Sequence, residues 1–195
     1  MKRSLGSIIL LVMLVSALFG TEVEFAPHRT APLVNGKIGR NDWNYPAVFR
    51  MGFETGYKEG WFMMQQDERH LYICIEPRSI KYTGIDLFLD NGAGDVFVLH
   101  ASTIHGERHL TDSGWGKTIW GPAELWSSNL TQEITIGDSM HVFPPEAFEF
   151  QISRELLPKK FLRYIMRFSG PEILVPPDAD TLSSERWREW DIDDR

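Results

Sequence analysis

From residue 71 onward, apolar and polar positions alternate with a period of two in four places. Leu71, Ile73 and Ile75 alternate with Tyr72, Cys74 and Glu76; Ile85, Leu87 and Leu89 alternate with Asp86, Phe88 and Asp90. Phe148, Phe150 and Ile152 alternate with Glu149 and Gln151, and Leu162, Tyr164, Met166 and Phe168 with Arg163, Ile165 and Arg167. Such alternation, built from β-branched and aromatic residues, predicts strands with one buried face. Trp61 to Met64 and Val96 to Leu99 are apolar at both parities and suit strands covered on both sides. Gln66 to Arg69 and Asp90 to Asp95 are polar and turn-forming, so each predicts a hairpin between its flanking runs. Asn35-Gly36 is a tight-turn dipeptide.

Helical signals are short. One turn is expected from Pro122 through Trp126, and another over Ser153 to Leu157, capped by Ser153 and ended by Pro158. Residues 102–146, rich in Gly, Ser, Thr, Trp and His, read as long loops with one or two weak strands. A further loop is expected over 176–186, before a last strand near 187–192. Many short strands without long helices predict an all-β protein, an antiparallel β-sandwich of jelly-roll or immunoglobulin-like type.

The first residues follow another rule. Lys2 and Arg3 precede 18 uncharged residues, Ser4 to Thr21, with an apolar centre at Ile8 to Val15 and small residues at Ser16, Ala17 and Gly20. That is the pattern of a secretory signal peptide over residues 1–20, leaving residues 21–195 as a single domain, secreted or periplasmic. No second long apolar stretch follows, so no membrane association is expected after cleavage. The 195 residues are 43% hydrophobic and 24% charged, which excludes a mainly disordered chain. Net charge is −7, and losing Lys2 and Arg3 makes it more acidic still, so nucleic acid is not an expected partner. The one cysteine, Cys74, cannot form an intrachain disulfide.

The order of motifs resembles family-9 carbohydrate-binding modules and related DOMON-like domains. Leu33 to Trp43, with Asn35-Gly36-Lys37-Ile38, is similar to that family's opening turn and Trp. Asp67 to Glu76 is similar to its second motif, Gly84 to Asp90 to its third, and Phe148 to Leu157 to its late strand and turn. The resemblance implies a β-sandwich that grips a sugar between two aromatic rings, with polar side chains on its hydroxyls. On that basis Asp86 matches the acidic contact and Trp187-Arg188 the second ring. Where the family keeps its first ring this chain has Ile80, with Tyr82 the nearest substitute. The family's basic contact aligns near Val98. The carbohydrate-binding residues expected from the resemblance are therefore Trp187, Asp86, Tyr82, Arg188 and Trp190.

Other residues invite separate readings. Trp43 and Trp61 lie in regular segments and suit the core. Trp115, Trp120 and Trp126 sit among Gly, Ser and Thr, where exposed rings would suit the faces of sugars. His100, His105 and His109 cluster around Glu107, but strand parity separates His105 and His109 from His100, which argues against a metal site. Asp90, Asn91 and Asp95 offer calcium-type oxygens, and a plain hairpin is the competing reading. Met63, Met64 and His100 are of haem-ligand type, and core methionines compete with that reading. No nucleophile elbow, zinc-protease helix, phosphate loop or redox cysteine pair occurs. The expectation is a non-catalytic exported domain, without a cofactor, that binds a polysaccharide or oligosaccharide through exposed aromatics. The alternative is an interaction or structural domain, with an exported protein as partner and a degraded sugar site. Intact-mass analysis of the native protein should find a new N-terminus between residues 18 and 21; recovery of the full chain from membranes would contradict export.

Overall fold

The computed structural model describes residues 24–25, 31–38, 43, 47–53, 56–77, 82–157, 161–169 and 173–191. The expected signal segment, Asn41-Asp42, Ile80 and Pro158 lie outside the described residues, as does the side chain of Trp190. The larger sheet contains β1 (Glu24–Phe25), β5 (Gly84–Asp90), β6 (Val96–Ala101), β7 (His105–Thr111), β8 (Gly114–Trp115), β9 (Ile119–Trp120), β14 (Phe161–Ser169), β15 (Ile173–Val175) and β16 (Arg188–Asp191). The smaller contains β2 (Ala47–Phe53), β3 (Gly56–Gln66), β4 (His70–Glu76), β10 (Trp126–Ser128) and β13 (Phe148–Ser153). A separate hairpin joins β11 (Gln132–Ile136) to β12 (Ser139–Phe143).

The protein is an all-β sandwich, and the only helices among the described residues are two three-residue 3-10 turns. The larger sheet runs β1-β16-β14-β5-β6-β7-β8, with β15 paired to β14 and β9 to β7; the smaller runs β10-β13-β4-β3-β2. Pairing is antiparallel except for β1 with β16. Both predicted hairpins form, β3 to β4 and β5 to β6. The Ser153 turn forms too, with the serine hydroxyl oxygen accepting from the Glu155 N–H.

Between the sheets, Ile85, Leu87, Leu89, Leu99, Met166 and Phe168 meet Phe62, Leu71, Ile73, Ile75, Phe148 and Phe150. The alternating strands were expected to bury one face, yet every residue of β5 is buried. Each sheet carries a second apolar cluster on its outer side. Phe88, Val98, Ile165 and Trp187 form one on the larger sheet, and Trp43, Met63, Tyr72 and Cys74 form the other on the smaller. Surface loops and chain segments supply the cover, which parity along a strand does not reveal. Burial, then the charge of Glu149, pushes the Cys74 thiol well above its ordinary value.

Two expectations in the middle of the chain are corrected. Residues 102–146 hold six short strands, β7 to β12, where long loops were expected. The chain at Pro122 bends without becoming helical, because Trp126 must extend to pair with Ile152 and bury its ring against Phe150.

A buried carboxylate fastens the outer cover of the smaller sheet. Glu149, fully buried on β13, accepts the Asn35 N–H at 2.7 Å, the Gly36 N–H at 2.6 Å and the Trp43 indole N–H at 2.9 Å. Gly36 has φ +77°, and a Cβ there would come within 2.9 Å of the Asn129 amide nitrogen. The turn dipeptide and the Trp of the opening motif are thus structural parts with one anchor. Glu149→Ala leaves two buried donors and a partly buried one without this acceptor and should cost about 3 kcal/mol or more. Urea unfolding checks this; a loss below about 1 kcal/mol would contradict the anchor.

Candidate functional site

Cross-strand partners share a face of a sheet. Following them across the larger sheet, Arg167 on β14 sits opposite Asp86 on β5, Asp86 opposite His100 on β6, His100 opposite Gly106 on β7, and Gly106 opposite Trp120 on β9. These residues form one row on the outer face.

The row is closely bonded. Asp86 Oδ1 is 2.6 Å from His100 Nδ1, and Asp86 Oδ2 accepts from Arg167 Nε at 3.0 Å and from Arg167 Nη2. His100 Nε2 is 2.8 Å from the Ser102 hydroxyl. Burial of Asp86 would raise its pKa, but the hydrogen bonds and charges of His100 and Arg167 outweigh it and hold the carboxyl below its ordinary value. The Arg167 guanidinium also stacks over Phe88 at 5.3 Å.

Trp120 closes the row in an unusual way. A Cβ on Gly106 would come within 2.7 and 2.8 Å of two Trp120 ring carbons, so the indole lies against bare backbone. His100 meets it edge-on at 5.4 Å and 89°. Trp120 is nevertheless 57% exposed, leaving its other side to solvent. Beside the row, Trp115 packs edge-on to Phe88, and Arg108 stacks over its ring at 5.1 Å. The buried Trp115 indole N–H has no acceptor among the described residues.

The residues expected from the resemblance do not assemble as a sandwich of two rings. Asp86 occupies the middle of the row. Tyr82 is buried on the opposite, inner face, packed on Phe168 at 4.4 Å, with its hydroxyl pKa pushed up to about 12 by burial. Trp187 is on the outer face but only 5% exposed; it packs edge-on to Phe88, and its indole N–H donates to the Asp180 carbonyl at 2.7 Å. It is a cover for the sheet, so Tyr82 and Trp187 cannot enclose a ligand together. Arg188 stands opposite Tyr164, on the inward parity, and the Trp190 backbone stands opposite Leu162.

A basic side chain, Arg167, does reach Asp86, from the neighbouring strand on the side away from Val98. Its position two residues from Ile165 in an alternating strand was visible in the sequence; its register with Asp86 was not. Among the tryptophans of the middle region, Trp126 is buried, with its indole N–H donating to Glu107 at 2.6 Å, and Trp120 is the open one.

The other candidate groupings disperse. His105 and His109 lie on the inward parity and His100 on the outward. Met63 and Met64 enter different clusters of the smaller sheet. The oxygens of Asp90 and Asn91 accept backbone N–H groups of their own turn, from Gly92, Ala93 and Asp95.

No protein-family model matches the chain, and no curated protein matches it. The solved structures similar to it include two carbohydrate-binding modules. One is a family 9 carbohydrate-binding module from Caldicellulosiruptor kristjanssonii in complex with cellotriose, 11% identical over 88% of this chain and 95% of that one, with a TM-score of 0.46. The other is such a module from the same organism in complex with glucose, 11% identical over 89% and 97%, with a TM-score of 0.47.

The lowered pKa of Asp86 has a definite sign. The unfolded chain holds this proton more tightly, so the stabilisation is fully present above the ordinary carboxylate value, about 3.9, and is lost as pH falls through the folded value. The stability difference between wild type and Asp86→Asn should therefore stay constant near about pH 6 and shrink toward about pH 3. Denaturant unfolding at several pH values measures it; a difference that does not change with pH would contradict the paired carboxylate.

Proposed function

We propose that this protein is an exported carbohydrate-binding domain whose outer sheet face takes a sugar onto Trp120. The observation that carries this reading is the Trp120 ring, seated against Gly106 yet 57% exposed, with a bonded polar row beginning beside it. The C–H face of a sugar ring removes apolar surface from water when it stacks on such a plane. His100 and Arg167, the partly exposed members of the row, would offer hydrogen bonds to its hydroxyls while the buried Asp86 holds both in place, and bonds to charged groups add strength as well as orientation. Binding of this kind needs no reaction.

One open ring should give weak affinity, on the order of millimolar to tens of micromolar, roughly −4 to −6 kcal/mol. A second reading, an interaction domain, draws on a different feature. All ten residues of β11 and β12 are exposed, among them Ile134, Ile136, Met140, Val142 and Phe143. A lone two-stranded hairpin is marginal in water, so these side chains suit contact with another protein.

Affinity electrophoresis and calorimetry against soluble xylan, glucan and mannan oligosaccharides separate the two. Trp120→Ala should cost about 1–3 kcal/mol and remove detectable binding. Trp187→Ala, which empties a buried position, should instead lower the unfolding midpoint. If no glycan binds wild type more tightly than Trp120→Ala, the sugar reading fails and the interaction reading replaces it.

A further inference from the structure

Ser102, His100 and Asp86 stand in the order nucleophile, base and orienting carboxylate. The serine hydroxyl is 2.8 Å from His100 Nε2, and Asp86 Oδ1 is 2.6 Å from His100 Nδ1. An ionised carboxylate only accepts hydrogen bonds, so Nδ1 must carry a proton. In the neutral ring Nε2 then holds the lone pair, and at 2.8 Å it is the nearer acceptor for the Ser102 hydroxyl proton, the Ile104 carbonyl being 3.4 Å away. Arg167 keeps the carboxylate ionised and fixes its plane from the other side.

The backbone is built to seat this serine. A Cβ on Gly84 would come within 2.9 Å of the Ser102 Cβ and 3.0 Å of the Ala101 carbonyl oxygen. The Ser102 N–H donates to the Ile104 carbonyl at 3.2 Å, and its carbonyl accepts the Thr131 N–H at 2.8 Å, so the residue is tied on both sides. The next N–H, of the exposed Thr103, has no acceptor among the described residues, which leaves it available to an oxyanion forming beside Ser102. Nucleophile, base and orienter are recognised by such geometry, whatever their order in the chain.

We propose that Ser102 is an acyl-transfer nucleophile, activated by His100 and oriented through Asp86, and that this row hydrolyses carboxylic esters. Ser102 Oγ attacks the ester carbonyl, forming the Oγ–C bond as its proton passes to His100 Nε2. The C–O bond to the alcohol breaks, and the alcohol leaves with that proton. Water then attacks the acyl-serine, giving a proton to His100; the acid departs and Ser102 regains the proton. Ester and water become acid and alcohol, with no cofactor or redox partner. The exposed Trp120 beside His100 indicates an acylated sugar as the substrate class, a point that rests on the glycan-binding reading, whereas the nucleophile does not.

The test is labelling of the full chain with a biotinylated alkyl fluorophosphonate, which transfers its phosphonyl group to an activated serine with loss of fluoride. One adduct on Ser102 is expected by peptide mass mapping, absent in Ser102→Ala and unchanged in Ser127→Ala, an exposed serine of β10. His100→Gln should slow labelling about 100-fold, the range of a general base. Turnover of p-nitrophenyl acetate by wild type, lost in Ser102→Ala, is the second readout and needs no His100 variant to fold. An unlabelled wild type, an adduct elsewhere, or His100→Gln labelled at the wild-type rate would overturn the nucleophile. Labelled Ser102 in a protein that binds no glycan would keep the nucleophile and remove the acylated-sugar substrate. Glycan binding with Ser102 unlabelled would do the reverse.

Discussion

A carboxylate in the middle of a central strand sets the terms for this site. Asp86 lies on β5, which has β14 on one side and β6 on the other, and its side chain is nearly buried. A charge in such a place is stable only when paired and hydrogen-bonded. Arg167 answers from β14 and His100 from β6, each directly opposite in register. The pairing fixes both side chains across three strands, and His100 in turn positions Ser102 and meets the edge of Trp120. The polar row is therefore a consequence of where one acid sits in the sheet.

The same economy governs the outer faces. Both sheets are apolar on their outer as well as inner sides, so each needs a cover. Over the smaller sheet, Glu149 holds Asn35, Gly36 and Trp43 through two backbone N–H groups and an indole. Over the larger, Trp187, Ala179 and Trp115 close against Phe88 and Val98. That cover uses the tryptophan that the family resemblance would give to a ligand. The end of the row at Gly106 is left to Trp120, whose ring covers backbone without being buried itself. An open aromatic plane thus arises where the cover ends.

Much of the fold was legible from alternation. The alternations at 71–76, 85–90, 148–152 and 162–168 fall within β4, β5, β13 and β14, because a half-apolar period of two has few other uses. The acidic contact at Asp86 was legible through motif order. The strands between 105 and 143 were not, since segments of two or three residues such as β8, β9 and β10 are too short to show a period. Exposure of tryptophans was also illegible: Trp120 and Trp126 have similar neighbours in sequence, yet one faces solvent and the other the core. Which ring is open depends on register and on glycines opposite, as Gly106 shows for Trp120. The relation of Arg167 to Asp86 is likewise a matter of register between strands 81 residues apart.

The indole N–H signals of a 15N-labelled protein, followed by NMR while xylan, glucan or mannan oligosaccharides are added, test the glycan site most directly. The Trp120 signal and the ring of His100 should move with ligand concentration, while the indoles of Trp126 and Trp187, bonded to Glu107 and to the Asp180 carbonyl, stay in place. Shifts confined to Trp187, or no shift of Trp120 with any glycan, would contradict a binding site on the outer face.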